Sequence, residues 1–214
     1  MSALIPLDLP LATGLEQGQQ ARIAPAVELA GVFSPEECAR IVARREVLGF
    51  DQAPIPMMAA GAEGSTRSHA VDPDIRRTER THLLPGRDHA WIFDRVGQAV
   101  QTANAQAWQF KVAYMEPMQL LCYPVGGHFH WHSDLGDRGL SSLRKVSASI
   151  LLSDSQSYDG GDFQLLNGGL ELTTGRSQGR GIFFPSFQNH RVTPVTRGLR
   201  YVLILWTVGK HSLR

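Results

Sequence analysis

The sequence predicts an α+β protein that is mainly β, in which N-terminal helices support one β-sandwich or barrel. Helical periodicity is confined to the first half of the 214 residues. After residue 109 the chain changes to short apolar runs separated by Gly, Pro, Asn and Ser. A composition of 43% hydrophobic and 19% charged residues allows one sizeable core. We therefore expect a single domain over residues 1–214, with support in 1–111 and the β-core in 112–214.

Two helices are predicted in the supporting half. The first covers residues 35–48, because residues 34–37 read Ser-Pro-Glu-Glu, with a capping Ser, a Pro at the first helical position and a Glu three residues after the cap. Its apolar residues recur at helical spacing before Gly49: Cys38, Ile41, Val42 and Leu48. The second helix follows Asp88 and ends near Trp108, with one apolar face formed by Ile92, Val96, Val100, Ala103 and Ala107.

Residues 51–80 are predicted to form a long loop between these helices. The stretch is rich in Ala, Gly, Ser, Pro and Met and then becomes charged. Two interpretations are open, a mobile lid that contacts substrate or a solvated linker. The basic run of Arg76, Arg77 and Arg80 could pair with an acidic substrate, but it is expected to be solvated.

The second half predicts seven short strands, each with β-type composition and bounded by turn residues. They are Met118–Tyr123, His128–His132, Val146–Leu152, Phe163–Leu166, Leu170–Thr173, Gly181–Phe184 and Arg200–Thr207.

Composition excludes several classes of protein. Lys and Arg number 21 against 20 Asp and Glu, so the chain lacks the basic excess that nucleic-acid binding through phosphate contacts requires. The N-terminus does not resemble a signal peptide, and the longest apolar run, Tyr201–Trp206, is far shorter than a membrane helix. We expect a soluble cytoplasmic protein without nucleic-acid or membrane partners. Its two cysteines, Cys38 and Cys122, are expected to be buried free thiols.

The chemistry-bearing stretch is Tyr123–Asp134, which contains three alternating histidines. In an extended strand, His128, His130, His132 and Asp134 share one face, and Phe129 and Trp131 share the other. Imidazole and carboxylate suit iron, manganese or zinc. His-x-Asp alone is a weak signal and needs a third ligand, for which His190 is the candidate. His132, Asp134 and His190 would form a two-His-one-carboxylate triad with open metal positions. The other histidines, His69, His82, His89 and His211, are expected to have surface or hydrogen-bonding roles.

Three ordered motifs carry a resemblance to a known family. They are Tyr-x-x-Gly-x-x-Phe-x-x-His-x-Asp over 123–134, Tyr-x-Gly-Gly over 158–161, and His-x-Val-x-Pro-Val-x-x-Gly-x-Arg-Tyr over 190–201. Together they resemble the prolyl-4-hydroxylase-like Fe(II)/2-oxoglutarate dioxygenases, which include the bacterial PKHD-type hydroxylases. The likeness spans residues 112–207 and implies a double-stranded β-helix, or jelly-roll, core.

The resemblance assigns roles to individual residues. It implies that His132, Asp134 and His190 bind Fe(II), and that Arg200 and Tyr123 hold the far carboxylate of 2-oxoglutarate. Val192 and Trp206 match positions that wall the cosubstrate pocket, although core packing explains both nearly as well, and a half-buried strand tyrosine remains an alternative for Tyr123. His130 and Trp131 are candidate substrate contacts, and the alternative for His128 and His130 is that they are exposed strand residues.

The implied activity is hydroxylation of an unactivated C–H bond by O2, with release of succinate and CO2. The substrate would be a prolyl or other amino-acid side chain in a peptide or protein, or a related small molecule, chosen by the first hundred residues. One alternative is a cupin-type metalloprotein that uses His130-x-His132, but Leu135–Asp137 lacks the glutamate which that motif requires. The other is a non-catalytic metal-binding or sensor module on the same fold. Arg200 favours the dioxygenase over a cupin, and the complete triad favours it over a sensor.

Overall fold

The structure is a computed structural model that describes residues 24–53, 55–56, 69–70 and 72–212. Its helices are α1 (Pro35–Val42), α2 (Arg44–Leu48) and α3 (Ala90–Ala107), with a 3-10 turn at Leu140–Leu143. No helix within these residues is long and apolar enough to cross a membrane.

The prediction of one helix over 35–48 is correct at its start and wrong in its length. Ser34 Oγ accepts a hydrogen bond from the Glu37 N–H at 3.2 Å, and the Glu37 carboxylate accepts one from the Ser34 N–H at 2.9 Å. The helix is interrupted at Ala43, and no residue of α2 is buried, so packing does not hold α2 in line with α1. The second predicted helix is confirmed as α3, with Trp108 as its C-cap.

Seventeen short strands are found in the described residues. The first six are β1 (Val27–Leu29), β2 (Asp51–Gln52), β3 (Ile55–Pro56), β4 (His69–Ala70), β5 (Arg76–Arg77) and β6 (Glu79–Leu83). The next six are β7 (Tyr114–Met115), β8 (Met118–Tyr123), β9 (His128–His132), β10 (Arg144–Leu151), β11 (Tyr158–Gly160) and β12 (Phe163–Asn167). The last five are β13 (Leu170–Thr173), β14 (Gly181–Pro185), β15 (His190–Val192), β16 (Val195–Gly198) and β17 (Arg200–Val208). All seven predicted strands are present, with ends within two residues of those expected.

The strands form two main antiparallel sheets, in agreement with the predicted fold class. The major sheet has the order β1-β14-β10-β17-β8-β6-β2, with β7 also paired to β17. The minor sheet has the order β13-β12-β15-β9-β5. Two-stranded pairs β11-β16 and β3-β4 complete the set.

Alternation along the major sheet divides the core into two clusters. One face packs against the helices through residues such as Leu120, Ile150 and Leu203. The other face packs against the minor sheet through Leu121 and Val202. Cys38 and Cys122 are both buried and free, as expected, and burial raises the pKa of the Cys122 thiol to about 12.

The loop predicted over residues 51–80 is wrong in part. β6 lies beside β8 in the major sheet and β5 lies beside β9 in the minor sheet, so residues 76–80 belong to the β-core. Arg76 is 7% exposed and Thr78 is 1% exposed, against the expectation of a solvated basic run. The polar composition of this stretch did not indicate strands. The side chains of Arg76 and Thr78 are buried because β5 pairs with β9 and β6 pairs with β8. Residues 57–68, the Ala- and Gly-rich part of that predicted loop, lie outside the described ranges.

Candidate active site

A cavity lies between the two sheets and contains most of the residues singled out from the sequence. Its polar wall consists of Arg76, Tyr123, His132, Asp134, Ser149, His190 and Arg200. Its apolar wall includes Phe129, Phe163, Phe184, Val192, Val202, Ile204 and Trp206. Both sheets therefore contribute side chains to one enclosed, mixed surface, as ligand sites commonly require.

Strand pairing brings the two candidate histidine ligands together. His132 ends β9 and His190 begins β15, and the two residues are directly opposite in the antiparallel ladder. Asp134 lies two residues beyond β9. His132 Nε2 is 3.9 Å from Asp134 Oδ1, and His190 Nε2 is 3.7 Å from Asp134 Oδ2. One ligand atom from each of the three residues lies within 4.8 Å of the others, so the three can hold one metal ion.

Backbone carbonyls determine which nitrogen of each ring is available. His132 Nδ1 lies 2.8 Å from the His130 carbonyl oxygen, and His190 Nδ1 lies 3.0 Å from that of Gln188. A carbonyl only accepts, so each Nδ1 carries the proton and each Nε2 keeps its lone pair. Both free Nε2 atoms face the Asp134 carboxylate. This tautomer of each histidine is the one that coordinates a metal through Nε2.

The pKa values of the cluster favour the same ionisation state. Burial lowers the pKa of His132 to about 3, and the proximity of His190 acts in the same direction, because the two rings cannot easily be protonated together. Burial by itself raises the pKa of the Asp134 carboxyl, but His190, His132 and hydrogen bonds from Ser147 and Trp206 hold it below its usual value. At neutral pH, a neutral His132 therefore faces a carboxylate, and both are in the form in which they coordinate divalent metals.

Arg200 opens β17 directly opposite Tyr123 of β8 and lines the same cavity. It is 4% exposed, and its Nε and Nη1 atoms are buried without a hydrogen-bond partner in the described part of the chain. Its guanidinium lies 5.3 Å from the centroid of the Tyr123 ring. Two unpaired cationic donors in a buried wall fit the free carboxylate of a dicarboxylic ligand such as 2-oxoglutarate.

Gly161 is required beside this arginine. Its φ of +62° favours glycine, and a Cβ atom there would lie 2.8 Å from Arg200 Cδ. Gly161 therefore leaves the space that the Arg200 side chain occupies.

The structure places only some of the other predicted residues at the cavity. Val192 and Trp206 lie on the cavity wall, whereas His130 and Trp131 are not among its lining residues. The prediction that His128, His130, His132 and Asp134 share one face is wrong in part, because His128 and His130 lie together, with ring centroids 5.2 Å apart, but do not line the cavity with His132 and Asp134. A register shift between β15 and β9 places Phe129 and His132 side by side, with ring centroids 3.5 Å apart, and leaves His130 exposed. Trp131 instead lies under the Arg191 guanidinium at 4.6 Å.

Arg76 is the residue of this site that the sequence interpretation missed. Its guanidinium lies 4.6 Å from the Phe129 ring, and Phe129 in turn stacks on His132. Arg76 Nε donates to Thr78 Oγ1 at 2.7 Å. Burial lowers its pKa, with Tyr123 and Asp134 acting in the opposite direction. The sequence offered no clear signal, because the buried residues Arg76 and Thr78 are polar and a two-residue strand is too short to show periodicity.

Comparison with known proteins agrees with this geometry. Residues 118–208 match the model of the 2OG-Fe(II) oxygenase superfamily, a class that uses Fe(II), 2-oxoglutarate and O2. A PKHD-type hydroxylase from Stutzerimonas stutzeri (strain A1501) is 30% identical over 189 residues, which cover 84% of this chain and 76% of that protein. Another from Pseudomonas putida (strain W619) is 28% identical over 186 residues, covering 85% and 77%. The chain belongs to this superfamily and, within it, to the prolyl-4-hydroxylase-like, PKHD-type hydroxylases.

Solved structures confirm the double-stranded β-helix fold. A Pseudomonas putida prolyl-4-hydroxylase superposes with a TM-score of 0.67 at 19% identity, over 87% of this chain and 94% of that one. A Trichoplax adhaerens prolyl hydroxylase, solved with a peptide fragment of the hypoxia inducible factor oxygen degradation domain, gives 0.69 at 15% identity, over 87% and 84%. At these identities the likeness establishes the fold.

Proposed function

We propose that this hydroxylase acts on an unactivated C–H bond in a prolyl or other amino-acid side chain of a peptide or protein, or in a related small molecule. Succinate and CO2 are the co-products. The observation that carries the proposal is that one cavity contains both the His132, Asp134, His190 cluster and the unpaired guanidinium of Arg200. The peptide in the Trichoplax adhaerens enzyme supports a peptide or protein substrate.

In this proposal His132, Asp134 and His190 hold Fe(II). Two neutral imidazoles and one carboxylate are the donor set suited to non-haem Fe(II), and they leave coordination positions open for other ligands. The carbonyl contacts of both Nδ1 atoms keep the imidazole rings oriented before the metal arrives. Bound there with 2-oxoglutarate and O2, iron supplies the oxidation that places one oxygen atom on the substrate carbon.

Arg200 is the proposed clamp for the far carboxylate of 2-oxoglutarate. Its fork of donors matches a carboxylate, and pairing at one edge would satisfy one of the two orphaned nitrogens together with Nη2. Tyr123, directly opposite in the sheet, would add its hydroxyl as a further donor. Burial raises the pKa of Tyr123, which keeps that hydroxyl protonated and able to donate.

The remaining walls orient the bound molecules and exclude water. Val192 and Trp206 would flank the cosubstrate, and the rings of Phe129, Phe163 and Phe184 surround the cluster. A largely apolar, enclosed wall limits side reactions with water and strengthens the electrostatic contacts inside.

Spectroscopy tests the assigned residues. Anaerobic addition of Fe(II) and 2-oxoglutarate should produce the weak visible charge-transfer band of their chelate, and His132→Ala or Asp134→Ala should abolish it. If the wild-type protein gives no band under these conditions, the assignment of this cavity is wrong.

Mass spectrometry tests the substrate class. The iron-loaded protein is incubated with 2-oxoglutarate and proline-containing peptide libraries, and in parallel with a library of free metabolites. A gain of one oxygen in a peptide, with one succinate formed for each hydroxylation, is expected. Oxygen gain confined to the metabolite arm would move the substrate to small molecules, and turnover without 2-oxoglutarate would contradict the proposed reaction.

A further inference from the structure

A partly buried ion pair lies next to Asp134 and has no part in the roles assigned so far. Arg144, the first residue of β10, forms a fork with Glu116, the residue after β7. Arg144 Nε lies 2.7 Å from Glu116 Oε1, and Arg144 Nη2 lies 2.9 Å from Glu116 Oε2. The side chains are only 17% and 12% exposed. Such a bidentate, largely desolvated pair holds the guanidinium plane in one orientation.

The remaining contacts of Arg144 point to the metal cluster. Its Nη1 donates to the backbone carbonyl oxygen of Asp134 at 3.1 Å. Its guanidinium also lies 3.9 Å from the centroid of the Trp206 ring. Trp206 in turn lines the same cavity as Asp134. Arg144 therefore contacts Asp134 at its main chain and also contacts Trp206, a second wall residue of the same cavity.

Asp134 needs such support because it lies outside regular structure. β9 ends at His132, and residues 133–139 form an irregular turn. The next inter-strand type of backbone hydrogen bond is made by the following residue, Leu135, whose N–H donates to the Ser186 carbonyl oxygen at 2.8 Å. The histidines, in contrast, are members of a paired ladder. Of the three cluster residues, Asp134 is therefore the one whose backbone position depends most on contacts from side chains such as Arg144.

Glu116 also connects to the same strand of the cavity wall. Its backbone N–H donates to the Trp206 carbonyl oxygen at 2.9 Å. A displacement of Glu116, Arg144 or Trp206 would therefore be transmitted to the other two residues.

We propose that Arg144, oriented by Glu116, is a positioning residue that sets the orientation of Asp134 and Trp206 for metal binding. The inference rests on the metal role of Asp134 proposed above. Residues that orient a metal ligand typically change metal affinity or activity by about 10- to 100-fold when they are altered. Lysine cannot replace Arg144, because a single ammonium group cannot form the carboxylate fork, reach the Asp134 carbonyl and stack on the indole together.

The test compares Arg144→Lys with a matched control. Arg180→Lys alters another arginine paired to a glutamate: Arg180, the residue before β14, lies 2.8 Å from Glu28 of β1, and neither residue lines the cavity. Mn(II) affinity is measured by electron paramagnetic resonance, and the Co(II) absorption spectrum reports ligand geometry. Arg144→Lys should bind Mn(II) about 10- to 100-fold more weakly and show a shifted Co(II) spectrum. Arg180→Lys should match the wild type in both.

Glu116→Gln provides a second variant, since it keeps the shape and a hydrogen-bond acceptor while it releases the guanidinium. It should change the Co(II) spectrum in the same direction as Arg144→Lys, and it decides the test if Arg144→Lys does not fold. Wild-type Mn(II) affinity and Co(II) spectra in these variants would overturn the positioning role and leave the metal site intact. Absence of metal binding by the wild-type protein would overturn the metal site as well.

Discussion

Replacement of Arg200 by glutamine should remove 2-oxoglutarate binding without loss of stability. In the described structure two buried nitrogens of Arg200, Nε and Nη1, lack partners, and a carboxylate at either edge of the guanidinium would pair with one of them together with Nη2. A hydrogen bond to a charged group contributes about 1.5–3 kcal/mol, so two of them contribute about 3–6 kcal/mol. At about 1.4 kcal/mol for each factor of ten, Arg200→Gln should weaken 2-oxoglutarate binding roughly 10²- to 10⁴-fold.

The melting temperature of Arg200→Gln should not fall, in contrast to the fall expected when an arginine that stabilises the fold is replaced. An unpartnered buried cation is costly, so its removal should leave the melting temperature of the ligand-free protein unchanged or higher. An arginine that held the fold together would show a lower melting temperature after the same change. The pair of measurements therefore separates a ligand clamp from a packing residue.

The assay is anaerobic calorimetric titration of the Mn(II)-loaded protein with 2-oxoglutarate. Arg197→Gln is the control, because Arg197 is more than half exposed and pairs with Asp159 outside the cavity. Affinity for 2-oxoglutarate within tenfold of the wild type in Arg200→Gln, or equal weakening in the control, would refute the reasoning.

Three further outcomes are expected. Gly161→Ala places a Cβ atom 2.8 Å from Arg200 Cδ, so titration should show weaker 2-oxoglutarate binding with unchanged Mn(II) binding; loss of both would contradict this account. Mn(II) at about 100 times its dissociation constant should stabilise the protein by about 2.7 kcal/mol, raising its melting temperature by roughly 5–10 °C. Asp134→Asn should show almost none of that rise, and a full rise in this variant would exclude the carboxylate as a ligand. Burial and His190 lower the pKa of His132 to about 3, against 6.5 for an unperturbed histidine, so the unfolded chain binds the extra proton. The metal-free protein should therefore melt at lower temperature as pH falls from about 6.5 towards 3, and an equally steep decline in His132→Gln would refute the assignment.

Local spacing in the sequence was sufficient for much of the fold. The strands at Met118–Tyr123, His128–His132 and Leu170–Thr173 have the bounds that their composition and flanking turn residues predicted. The capping box at Ser34 and the apolar face of α3 were equally visible. These features depend on residues within one or two turns of each other, where periodicity and capping act directly.

The candidate metal ligands His132, Asp134 and His190 were also predictable from the sequence. His190 could be chosen as the third ligand only because the spacing of the family motifs indicated it. No local physical rule predicts which strand lies beside β9. The antiparallel pairing of His132 with His190 supplies the physical reason that they meet.

Tertiary structure alone decided which neighbours share a face and which charges are buried. The register shift between β15 and β9 brings Phe129 and His132 to the cavity and leaves His130 outside, against strict alternation. Arg76 became a buried wall residue because β5 pairs with β9. The Glu116–Arg144 fork joins elements 28 positions apart in the sequence. Bulges and long-range pairings are set by the fit of whole sheets, so the sequence by itself determined the elements and the candidate ligands, and the packed fold determined their surroundings.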